Sequence, residues 1–166
     1  MSVSQAEATK LAMNHFMQLA VEAAKDGMQK NSGGPFGAVI VRNGEVIAVA
    51  HNEVLGTNDP TAHAEVVALR RATVKLGRFH IPDCEIYSTC EPCPMCLAAI
   101  HWAGITKLYF GADRHDAAVG GFDDEFIYRI INGTAESSLT QPEIIDQKEC
   151  RDLFHRWNEK ADRIMY

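Results

Sequence analysis

The chain has 166 residues, 46% of them hydrophobic and 23% charged, a size and balance suited to one globular domain with a sizeable core. Its best apolar run, FGAVIV, falls well short of the roughly 18 residues a membrane helix needs, and the opening MSVSQAEATK lacks the basic start and apolar stretch of a secretory signal. A formal net charge of −6, with a pI near 5.6, weighs against nucleic acid as the partner, because neutralising phosphates calls for a basic stripe.

In chain order, Ala8, Leu11, Ala12, His15, Phe16, Leu19 and Ala23 recur at spacings of three and four and predict a helix over Gln5–Gln29 with one apolar face. NSGGPFG ends it. FGAVIVR and EVIAVAHN, joined at Asn43-Gly44, predict a β-hairpin. TAHAEVVALRRA predicts a helix running to about Lys75 and stopped by Gly77. CEIYST reads as a short strand, CEPCPMCLAAIHWAG as a helix from about Pro94 to Gly104, and ITKLYFG as the next strand. DDEFIYRII and PEIIDQKECRDLFHRWNEKADR read as helical, with a weak strand near Leu139. No repeat or linker divides the sequence, so a single domain over 1–166 is expected, an α/β sandwich with a mixed sheet that is antiparallel at its opening hairpin.

The five cysteines are Cys84, Cys90, Cys93, Cys96 and Cys150. An odd count, three of them crowded into Cys90–Cys96, in a chain without an export signal, fits a reducing, cytoplasmic setting better than a disulfide framework. Cys93 and Cys96 lie three apart where a helix begins, so their sulfurs face the same way; Pro94 suits the first turn, and the helix dipole favours the metal-ligating thiolate. His63 also stands at a helix start. One imidazole and two thiolates leave the fourth position of a tetrahedral zinc open for water, the pattern of a catalytic ion, whose water ionises near pH 7 and attacks as hydroxide. Glu65 is then the proton shuttle beside that water. The bland alternatives are a packed His63 and a first-turn acid at Glu65. Cys90 completes CxxCxxC and leaves open a closed shell of three cysteines and one histidine, which would give Glu65 no task; an iron–sulfur run would need a fourth cysteine where Ile100 stands. Cys84 and Cys150 read as core thiols.

HAE followed by PCPMC is the H-x-E…P-C-x-x-C pattern of zinc-dependent nucleobase deaminases. The chain therefore resembles the cytidine deaminase-like superfamily. GGPFGAVIV, HNEV, NDPTAHAEVVALRRA, STCEPCPMCLAAIHWAG and GFDDEFIY make it similar to the bacterial guanine deaminases within it, from about Gly33 to Tyr128, with a weaker match in RWNEKADRIMY. The resemblance implies a three-layer α/β/α sandwich around a mixed sheet of roughly five strands. It implies one zinc per chain held by His63, Cys93 and Cys96, with Glu65 moving protons. It places Asn52 on the purine edge, Phe36 against the face of the base, and Asp124 on a ring N–H of guanine, for which adenine and cytosine offer no matching ring N–H in their common tautomers. It also implies a homodimer in which a C-terminal tail, about 150–166, swaps across so that Tyr166 closes the partner's site. By residue type alone, Asn52 would be a turn residue, Phe36 a core residue, and Asp123 and Asp124 a helix cap and first-turn acid.

The implied activity is hydrolysis of guanine to xanthine and ammonia, without a nucleic-acid or membrane partner. A tRNA adenosine deaminase carries nearly the same signature, but the acidic net charge and GFDDEFIY, where those enzymes continue basic and Gly-rich, favour a free base. Guanosine, another aminopurine or an amino-triazine stays open as substrate. A catalytically silent relative that keeps zinc structurally and binds a partner is opposed by the intact Glu65.

Overall fold

The computed structural model describes residues 14–139 and 142–165, which fall into two compact units divided between Tyr128 and Arg129. The N-terminal helix α1 spans His15–Gln29 and is shorter than the expected Gln5–Gln29. Asn14 breaks it: with ψ at 133° it is not helical, and its side-chain oxygen accepts from the N–H groups of Phe16 (2.9 Å) and Met17 (3.3 Å), donors that a continuous helix would spend on its preceding turn. Residues 5–13 lie outside the described residues.

Strands β1 (Gly37–Arg42) and β2 (Glu45–His51) form the expected hairpin. Asn43 and Gly44 both take positive φ, 52° and 79°, as the right-handed twist of the two strands requires of a two-residue turn. Strands β3 (Cys84–Cys90) and β4 (Lys107–Ala112) complete a sheet in the order β2-β1-β3-β4, antiparallel at β1/β2 and β1/β3 and parallel at β3/β4. The sheet is mixed, as expected, but has four strands among the described residues where roughly five were anticipated. Leu139 sits in a bend, because the Gly133–Ser138 segment before it is a polar stretch with turn residues and no alternating apolar face.

Helices cover both faces. Val39, Val41 and Tyr87 pack with Ala20 of α1, whereas Ala38, Ile40 and Ile86 face helices α3 (Ala64–Leu76) and α4 (Pro94–Trp102). β1 is buried on both sides because it is central. Close approach of α1 to the sheet depends on Gly37: a Cβ there would lie 1.9 Å from the Ala20 carbonyl oxygen. α4 is the crossover between the parallel strands β3 and β4.

Three further helices had weaker or no periodic signal. α2 (Val54–Thr57) and α5 (Arg114–Val119) were not anticipated, being too short to show a period of 3.6. α6 (Asp124–Ile131) is the expected DDEFIYRII helix and runs across the division between the units. In the second unit α7 spans Gln147–Glu159, shorter than the PEIIDQKECRDLFHRWNEKADR reading; Asp146 before it is left-handed at φ 47°, which stops the helix from extending back. Among the described residues no helix is long and apolar enough to cross a membrane.

Candidate active site

β2 and β3 run parallel to one another on either side of β1, so both end beside the start of β1. The chain leaves β2 at Asn52 and leaves β3 at Cys90, and Phe36 precedes β1, which gathers these residues at one end of the sheet. The helices that follow, α3 and α4, begin there too. His63 is the N-cap of α3, with extended backbone (φ −66°, ψ 154°), and Cys93 is the N-cap of α4 (φ −64°, ψ 167°). Neither cap makes the usual side-chain hydrogen bond to the helix, which leaves both side chains free to turn towards each other.

They meet. His63 Nδ1 lies 3.6 Å from Cys93 Sγ and 3.6 Å from Cys96 Sγ, and the three donor atoms are all within 4.8 Å of one another, a set of ligand type and spacing that fits one tetrahedral ion. Cys93 and Cys96 are buried and His63 is half-buried. The neighbouring Cys96 and His63 hold the Cys93 thiol well below its ordinary pKa, against the opposing effect of burial. Proximity to Cys93, with burial and the nearby Glu65, pushes Cys96 up. The hydrogen bond to Cys93 raises His63, opposed by desolvation.

Glu65 lies in the first turn of α3, and the extended conformation of His63 is what lets two residues so close in sequence address one point. Glu65 is 6% exposed; Ser88 Oγ donates to its Oε1 at 3.2 Å, and Cys96 Sγ donates to Oε2 at 3.5 Å. Burial pushes its carboxyl up. Asp124, at the start of α6, is raised by burial and then by Cys93.

A cavity of about 380 Å³ opens in front of this cluster, lined by Phe36, Asn52, His63, Glu65, Cys93 and Asp124. Cys96, with no exposed surface, stands behind. Asn52 Oδ1 accepts from Val54 N–H at 3.1 Å, so Asn52 both holds the turn and lines the cavity; the bond fixes the amide and does not use its NH2. Phe36 meets Phe122 edge to face, with centroids 4.8 Å apart at 82°. Asp123 Oδ1 accepts from Phe126 N–H at 3.1 Å and so takes the capping role that residue type suggested. Tyr166 lies outside the described residues.

Cys90 is not part of the metal group: among the described residues the cluster is His63, Cys93 and Cys96 alone. Its Sγ donates to the Asp113 carbonyl at 3.6 Å, and burial pushes the thiol up to about 11. The closed four-ligand shell is therefore not formed. Cys84 is buried as expected, but Cys150 is exposed on α7, a correction to its reading as a core thiol. Sequence reasoning missed Ser88, which holds Glu65, and Gly33, whose lack of a side chain makes room for Asn52: a Cβ would fall 2.0 Å from Oδ1. It also missed Phe122 and Glu91 on the cavity wall. A serine at an inward position of β3 was the one legible signal among them.

Comparison with known proteins accords with this geometry. The profile of the cytidine and deoxycytidylate deaminase zinc-binding region matches residues 12–112. The guanine deaminase of Bacillus subtilis (strain 168) is 45% identical over 156 residues, which cover 93% of this chain and all of that protein. A tRNA-specific adenosine deaminase of Agrobacterium fabrum is also 45% identical, but over 98 residues, 59% of this chain and 64% of that protein. The crystal structure of the Bacillus subtilis guanine deaminase superposes with a TM-score of 0.86, covering 93% of this chain and 99% of that one.

Proposed function

The chain belongs to the zinc-dependent cytidine and deoxycytidylate deaminase family, among its bacterial guanine deaminases, and from that premise we propose that it hydrolyses guanine to xanthine and ammonia at the cavity described above. The observation that carries this is the convergence of His63, Cys93 and Cys96 on one point with the buried Glu65 beside them.

His63, Cys93 and Cys96 would hold one zinc ion, since an imidazole and two thiolates are donors that suit it. Zinc in such a site supplies an acidified water as nucleophile for the amino-bearing ring carbon. The residues of the chain do the rest. Glu65 takes one proton of the attacking water and gives it to the ring nitrogen, then takes the second from the newly attached hydroxyl and gives it to the departing amine; burial raises its carboxyl, which suits a group that must accept protons as well as release them. Asn52 donates to the purine edge, Phe36 walls the face of the base, and Asp124 accepts from a guanine ring N–H. Asp124 sets the preference for guanine, because a base without that N–H leaves a half-buried carboxylate without its partner.

Assembly as a homodimer is supported by the exposed Trp102, Tyr109 and Phe110 of the first unit, apolar surface suited to a second copy. The swapped tail with Tyr166 at its end belongs to the same reading. The free cysteines support a reducing, cytoplasmic setting, and the acidic net charge supports a small-molecule substrate over RNA.

Incubation with guanine, adenine, cytosine and tRNA, following ammonia release, tests the assignment. Ammonia from guanine, accompanied by xanthine, is expected. Inosine formed in tRNA, with no ammonia from guanine, would transfer the chain to the adenosine deaminases instead.

A further inference from the structure

Starting from Glu91 on the cavity wall, a closed ring of interactions joins the loop ahead of Cys93 to the helix that carries Asp124. Arg114 opens α5, fixed there by a capping box in which Asp113 and Asp116 satisfy each other's backbone. From that position it gives three hydrogen bonds to one carboxylate: its backbone N–H (3.2 Å) and Nε (3.1 Å) reach Glu91 Oε2, and Nη2 reaches Oε1 at 2.5 Å. Glu91 is itself tied to the end of β4 through its N–H to Ala112 O at 2.8 Å. The Arg114 guanidinium then lies over the Tyr128 ring, 4.2 Å from its centroid. Tyr128 Oη donates to the Pro92 carbonyl at 2.9 Å, which closes the circuit one residue before Cys93.

Tyr128 stands four residues after Asp124 on α6, so the two share a helix face. Holding Tyr128 therefore sets both the height and the rotation of Asp124. Arg114 is not among the residues that line the cavity; its side-chain hydrogen bonds go to Glu91 and its guanidinium stacks on Tyr128, which fixes α6 against the loop that presents Cys93. A lysine could pair with Glu91 but could not supply the fork and the flat stacking face together.

We propose that Arg114 is a positioning residue for guanine recognition: by clamping Glu91 and Tyr128 it sets Asp124 at the distance from the metal centre that the purine spans. This rests on the guanine reading above. Its effect falls on binding the base and not on holding the ion.

A double-mutant cycle tests it. In Arg114→Ala, kcat/KM for guanine is expected to fall about 30-fold, chiefly through KM, with zinc still bound at one per chain. In the Asp124→Ala background the same change should cost less than about 3-fold, because the group that Arg114 positions is already gone. Should Arg114→Ala fail to fold, Tyr128→Phe serves: it deletes only the bond to Pro92 and should raise KM about 3-fold with Asp124 present and not without it. Equal losses in the two backgrounds, or zinc lost from Arg114→Ala, would overturn the proposal and leave the guanine assignment standing. A wild-type protein that releases no ammonia from guanine would overturn that assignment and the positioning role with it.

Discussion

His63 and Glu65 share one target because one is outside the helix and the other inside it. An N-cap residue in extended conformation swings its side chain across the helix mouth, and a first-turn residue beside it reaches the same volume. Glu65→Gln keeps the size and the bond from Ser88 but removes the exchangeable proton. The fold and one zinc per chain should persist while kcat falls by about 10²–10⁴-fold; unimpaired turnover would refute the shuttle. Gly33→Ala tests a quieter constraint. The added methyl must displace the Asn52 amide, so guanine KM should rise by about 10-fold or more, with destabilisation of about 1–3 kcal/mol visible in denaturant titrations. The grouping of His63, Cys93 and Cys96 was legible because a histidine and two cysteines at these spacings have few other reasons to occur together. Gly33 and Phe122 were not, because what matters in them is which atoms they approach across the fold, and no local pattern encodes that.

At the scale of elements, the hairpin announced itself through Asn43-Gly44, and α4 through Pro94 after Cys93. α2 and α5 gave no such signal, since a single turn of helix is held by its caps and neighbours, as the Asp113–Asp116 box holds α5. The start of α1 was misjudged for a related reason: the apolar spacing continues through Asn14, but the Asn14 side chain competes for the backbone and ends the helix. Between elements, Asp83 just ahead of β3 links Arg42 at the end of β1 (2.6 Å) to Arg78 beyond α3 (2.5 Å). The bond from Arg78, and then that from Arg42, hold its carboxyl below the ordinary value of 3.8. A depressed carboxyl stabilises the folded chain above its unfolded pKa and loses that contribution as pH falls through the folded one. Thermal melts of wild type and Asp83→Asn should therefore differ near neutral pH and converge as pH falls below the ordinary carboxyl value, with high salt shrinking the gap because the group is exposed. A gap that widens towards acid would contradict this.

For the whole molecule, the chain order of the sheet decides where the chemistry lies. β2 and β3 flank β1 in parallel, so the exits of two strands and the tips of two helices fall at one edge, which is where His63, Glu65, Cys93 and Cys96 gather. That topology was readable only in outline, since a mixed sheet followed from the alternation of elements but the strand order did not. Because His63 and Cys93 come from separate helices, an ion bound between them should tie α3 to α4. Chelation should then lower Tm, by an amount corresponding to about 2.7 kcal/mol when free zinc had stood about 100-fold above its Kd. The most direct measurement is X-ray absorption at the zinc edge of the purified protein. The account predicts two sulfurs at about 2.3 Å with two lighter atoms at about 2.0 Å, one of them exchangeable with solvent. A third sulfur in the shell, or a fourth protein ligand filling it, would contradict the open site on which the reaction depends.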